Sequence, residues 1–193
     1  MKKLFILIVI LFVWNSIYSQ QRLIMGINPL RGRSIEFKFH TLSDIANGKS
    51  LGTAGIGYTE VYIYLDTIGD KGNYYLPQVT GWELVAYANT PTIEADFGST
   101  DMSLNEVQLR CTMTKGTGSI VAVSTLTANP NNVIASGNIG NGDPAGKSRV
   151  NPAGFLEWTV TIAFDCGTTS GLGSYKPDLY YTDFILFIRP IYA

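Results

Sequence analysis

Charge is scarce in this chain. Lysine, arginine, aspartate and glutamate make up 15% of its 193 residues, with one histidine, His40, and two cysteines, Cys111 and Cys166. Each shortage excludes something. With 14 basic against 15 acidic side chains, there is no bulk basic surface for nucleic acid or anionic lipid. Two distant cysteines and one histidine do not furnish a tetrahedral zinc site. A lone histidine is a thin basis for a Ser-His-Asp arrangement, and the chain has no Gly-x-Ser-x-Gly elbow. Gly-Lys-Ser occurs at 48–50 and 146–148, but Ser43 and Asn141 stand where a phosphate loop needs its first glycine. Amphipathic helical patterning is missing too. No apolar run reaches the roughly 20 residues of a membrane-spanning helix.

The longest such run is Leu4–Trp14, 11 residues, preceded by Lys2 and Lys3 and followed by Asn15 to Ser19. That is the pattern of a signal peptide over 1–19, so the chain is expected to be exported to the periplasm, cell surface or medium. Removing these residues takes away two lysines and no acid, so the net charge goes from −1 to −3. No membrane insertion is expected after cleavage. Residues 20–32 then form an N-terminal tail or edge strand, and 33–193 a single domain.

Within that domain the clearest signal is the alternation over 155–166. Leu156, Trp158, Val160, Ile162, Phe164 and Cys166 share one face; Glu157, Thr159, Thr161 and Asp165 share the other. A period of two predicts a half-buried antiparallel strand. The same period appears at 34–40, 58–66, 79–89, 104–113 and 179–188, and a more apolar run at 119–126 predicts a strand buried on both faces. A single helical turn is expected near Leu42 to Ala46. Seven or eight strands separated by Gly-, Asn- and Pro-rich turns predict an all-β fold, an antiparallel two-sheet β-sandwich, with a jelly roll as the alternative.

Several residues invite functional tests. Tyr58, Tyr62 and Tyr64 fall on the outer face of the 58–66 strand, opposite Val61, Ile63 and Leu65. A line of tyrosines offers flat, rigid rings for stacking on a sugar or a partner surface. Alternatively a loop, a second subunit or the N-terminal tail covers it. The loop after this strand carries Asp66, Asp70 and Asn73, oxygen ligands suited to calcium, although the same residues also make turns. No other cofactor is expected. Glu83, Glu106 and Glu157 are the carboxylates that a glycosidase pair would draw on. Cys111 and Cys166 fall on inward faces of an exported protein, so a disulfide is expected, worth roughly 4 kcal/mol for a loop of about 55 residues. The alternative is two free buried thiols.

Three stretches carry family resemblances. Gly81-Trp82-Glu83-Leu84 together with Leu156-Glu157-Trp158-Thr159-Val160 resembles the paired tryptophan signatures of WxL-type cell-surface domains. The alternating C-terminus, with Phe184, Leu186, Ile188 and the penultimate Tyr192, resembles that of fimbrial subunits. Such subunits join a neighbour by strand addition. Asp66-Thr67-Ile68 resembles an O-glycosylation acceptor of Gram-negative exported proteins. These resemblances imply an exported surface protein. The expected role is non-catalytic, structural or adhesive, with a protein partner or a second copy held by edge-strand contact. A carbohydrate-binding module using the tyrosine face is the first alternative and a small secreted hydrolase the second. No nucleic-acid partner is expected.

Overall fold

The computed structural model describes residues 23–27, 35–51, 57–66, 79–145 and 155–192. In chain order the strands are β1 (Leu23–Ile27), β2 (Lys49–Leu51), β3 (Tyr58–Asp66), β4 (Val79–Ala88), β5 (Thr92–Ala95), β6 (Met102–Ser103) and β7 (Val107–Lys115). They continue with β8 (Ser119–Ile120), β9 (Val123–Thr125), β10 (Val133–Asn138), β11 (Asp143–Ala145), β12 (Phe155–Cys166), β13 (Tyr180–Tyr181) and β14 (Phe184–Tyr192). A short α-helix, α1 (Leu42–Asn47), precedes β2.

The first sheet runs β1-β3-β12-β7-β9 and the second β14-β4-β10-β8, with a small β13-β5-β6 sheet beside them. Every pairing is antiparallel, so this is an all-β sandwich. Strand β12 is central. It pairs with β3 along 155–163 and with β7 along 159–166, while β11 and β2 take up the flanks those two leave.

Alternation fills the space between the sheets. Val61, Ile63 and Leu65 of β3, Leu109 and Cys111 of β7, and Trp158, Val160, Ile162 and Phe164 of β12 are buried. They meet Trp82, Leu84 and Ala86 of β4 and Ile134 of β10. The two tryptophans of the resembling motifs touch here, edge to face, with ring centroids 5.7 Å apart. Edge-to-face contact sets a positive ring edge on a negative face. Trp158 Nε1 donates to the Thr117 carbonyl at 3.2 Å. Behind it lies Gly116 at φ +69°, where an added Cβ would fall 2.4 Å from the indole. Backbone conformation and space both demand glycine there.

Three expectations are corrected. Residues 35–40 keep their alternation, and Ile35, Phe37 and Phe39 pack on the core, yet among the described residues they join no ladder. His40 therefore lies on no strand; its N–H donates to Asp44 at 2.9 Å, beside the capping box of α1. The run 119–126 is not buried on both faces. It breaks into β8 and β9, and Ile120, Val121 and Val123 are exposed. The third correction is the disulfide. Cys111 and Cys166 are free buried thiols. Both point inward, as expected, but on different rungs. Cys111 stands opposite Ile162, and Cys166 opposite Val107. A four-residue offset along a ladder is roughly 13 Å, beyond the ~7 Å Cα limit for a bridge.

Candidate functional site

Strand β3 sets its tyrosines against the polar side of β12. The register places Tyr64 opposite Glu157, Tyr62 opposite Thr159 and Tyr58 opposite Ala163. All three rings are half-buried. Tyr62 and Tyr64, two apart on a strand, lie on the same face and stack nearly parallel, at 6.5 Å and 18°. Their hydroxyls are engaged by carboxylates. Tyr62 donates to Glu60 Oε2 at 2.9 Å, and the Tyr64 hydroxyl bonds to Glu157. Burial and the Glu157 charge hold the Tyr64 phenol above its usual range.

Most outer residues of β12 are deeply covered for a sheet surface, Thr161 being half-buried. Glu157, Thr159, Ala163 and Asp165 are each at most 9% exposed. On one side Tyr64, Tyr62 and Tyr58 stand next to Glu157, Thr159 and Ala163, and Ser50 of β2 stands next to Asp165. From the other, Lys115 forms an ion pair with Glu157 and Arg110 Nε bonds Asp165 Oδ2 at 2.7 Å. Long side chains lie along the strand and keep their polar ends on the carboxylates. Asp165 Oδ1 is left without a hydrogen-bond partner. Chemically this face is a flat aromatic stack set in a hydrogen-bonded polar surface.

The other sequence candidates do not converge. Glu157 lies on the outer face of the first sheet. Glu83 lies on that of the second, bonded to Arg189 at 2.6 Å. Glu106 sits in a short 3-10 turn and accepts from Ser170 at 2.8 Å. Three carboxylates on separate surfaces do not form a glycosidase pair. Of the calcium candidates, Asp66 ends β3, and Asp70 and Asn73 lie outside the described residues. Among the described residues, no three His, Cys, Asp or Glu side chains cluster to hold a metal.

A second surface emerges from the topology. β14 is the end strand of its sheet and, among the described residues, pairs only with β4. Asn89 N–H bonds the Asp183 carbonyl at 3.0 Å, which fixes the rungs. Odd-numbered residues of β14 turn their backbone groups toward β4, and even-numbered ones turn theirs to the open edge. Phe184, Leu186 and Ile188 thus offer N–H and C=O groups outward. Pro190 follows with no N–H, as suits an edge. The same even residues pack their side chains on the core. Ile185, Phe187 and Arg189 lie on the outer face, where Phe187 meets Tyr87 edge to face at 6.2 Å. β1 runs alongside β14 but pairs with β3. Alternation at 179–188 was visible in the sequence; that this strand ends a sheet was not.

Compared with family models, curated proteins and solved structures, the chain matches none. Among the described residues no helix is long and apolar enough to cross a membrane.

Proposed function

We propose that this is an exported, non-catalytic surface protein with a structural or adhesive role, and that it holds its partner by strand addition to β14. The observation carrying this reading is the open edge itself. Nine residues, seven of them apolar and one a proline, run along a sheet margin with one hydrogen-bonding side unused among the described residues. Long apolar edges are templates for another strand, and proteins that do not use them blunt them with charge, bulges or cover. Here such features are confined to the end of β14, at Arg189, Pro190 and the register shift between Ile191 and Tyr192, and Phe184 to Ile188 carry none.

The test uses the cell that makes the protein. The chain should run there in a cross-linkable assembly, and Ile185→Lys should release it as a monomer. A lysine on an edge opposes strand addition, while the ladder to β4 uses only the backbone of residue 185. An assembly that survives Ile185→Lys sinks the edge-strand reading.

One observation favours a second reading, glycan binding on the tyrosine face. Tyr62 and Tyr64 form a near-parallel pair, and Gly26 stands opposite Tyr62, so β1 places no side chain on that rung. Paired flat rings beside carboxylates suit a sugar's apolar face and hydroxyl rim. On a glycan array wild-type protein should bind a defined set, and Tyr62→Ala should remove the signal. A blank array for the folded wild type rejects this reading.

A further inference from the structure

The seven residues Asp183-Phe184-Ile185-Leu186-Phe187-Ile188-Arg189 show the same order of charged and apolar positions from either end. Five apolar residues are centred on Leu186, with an acid at one end and a base at the other. Such a segment is complementary to itself when laid antiparallel. We propose that the open edge of β14 pairs with the same edge of a second copy of this chain, antiparallel, about a two-fold axis at Leu186. The proposal rests on the edge-strand reading and names its partner.

The register follows from which groups face outward. With the axis at Leu186, Phe184 stands opposite the second copy's Ile188, and Leu186 opposite itself. These are the residues whose N–H and C=O groups face the open edge, so about six new backbone hydrogen bonds form. Pro190 falls outside them, and its missing donor costs nothing. On the outer face Ile185 meets the second copy's Phe187, beside the existing Tyr87–Phe187 contact. Asp183, which is exposed, meets the second copy's Arg189. That guanidinium already holds Glu83 and Asn131, and its five N–H donors leave room for another carboxylate.

Neighbouring registers fit worse. An axis at Phe187 draws Pro190 into the ladder and sets Arg189 against Ile185. An axis at Ile185 sets Asp183 against Phe187. Only the Leu186 axis opposes apolar with apolar and acid with base on every rung from 183 to 189. The interface is isologous and closes as a dimer, extending each four-stranded sheet into one of eight.

Register-specific cross-linking tests this. In the new ladder, residues 185 and 187 form non-hydrogen-bonded pairs with Cα atoms about 4.5 Å apart, within disulfide range. An oxidised equimolar mixture of purified Ile185→Cys and Phe187→Cys proteins should yield a covalent dimer, and each variant alone at least tenfold less. The native thiols are buried and do not compete. Equal cross-linking of the single variants, or none in the mixture, overturns the register. Should either variant fail to fold, wild-type amide exchange decides. Phe184, Leu186 and Ile188 amides should slow as concentration rises from micromolar to millimolar, and unchanged exchange overturns the dimer. If the purified chain stays monomeric while Ile185→Lys still frees it from its cellular assembly, the second copy is wrong and the edge-strand reading stands. If the purified chain stays monomeric and Ile185→Lys does not free it from its cellular assembly, both fall.

Discussion

β12 and β14 are the two longest stretches of apolar alternation toward the C-terminus, and their positions make them opposites. β12 is paired on both sides along nearly its whole length. β14 is paired on one side. On β12 even the polar face is covered, so Glu157, Thr159 and Asp165 are nearly as hidden as the core. On β14 even the inward residues are only half-buried. The same periodicity therefore carries two meanings. At the centre of a sheet it builds the core; at the margin it leaves hydrogen-bonding groups and apolar area for something else. Substitutions on β12 should register in stability, and those on the outer face of β14 in association.

The largest effect is expected at Trp158. Trp158→Ala should lower unfolding free energy by about 3–5 kcal/mol, because the void between Trp82 and Gly116 cannot collapse onto a rigid sheet. Urea denaturation measures it, and a loss under about 1 kcal/mol would mean the two-tryptophan contact is not the centre of the core. Next come the thiols. Burial pushes Cys111 up to about 12 from 9.0, and burial with the Glu106 charge does the same for Cys166. Neutral in the fold, both ionise once it opens, so their contribution is full below about pH 9 and drains away as pH rises toward 12. The expected slope is on the order of 1 kcal/mol per pH unit per thiol. Paired Cys111→Ala and Cys166→Ala substitutions should flatten the alkaline fall relative to wild type. Labelling of the unfolded, unreduced chain should find two thiols; finding none would restore the disulfide.

The bounds of β3 and β12 were legible because alternation and burial coincide there without a break. So was the inward direction of both cysteines. Their separation was not, since parity assigns a face and says nothing of the rung. Ile35, Phe37 and Phe39 show the same limit. Their alternation records which side chains meet the core, whereas a strand also needs a hydrogen-bonding neighbour. The tyrosine line was readable from spacing alone, yet its partner Glu157 lies 93 positions from Tyr64 and enters only with the register. The open edge was the least accessible feature, because strand order is set by contacts between distant segments.

Three substitutions sharpen the contrast between centre and margin. Arg110→Met leaves Asp165 buried with neither oxygen paired, and should cost about 2 kcal/mol. That is below the 3–5 kcal/mol of a fully buried pair, since the Arg110 side chain is 39% exposed. Asp165→Asn on the Arg110→Met background should recover part of the loss, because the charge is gone. If it recovers nothing, the cost came from lost packing of the arginine stem. The smallest change in stability is expected on β14. Ile185→Lys touches the outer face of an edge strand whose own ladder is backbone only, so its unfolding free energy should stay within about 0.5 kcal/mol of wild type. The same variant should abolish association in light scattering. A variant that destabilises strongly would place Ile185 in the core and remove the distinction between the strands. One that leaves both stability and association intact would leave β14 a bare margin, with no partner of its own.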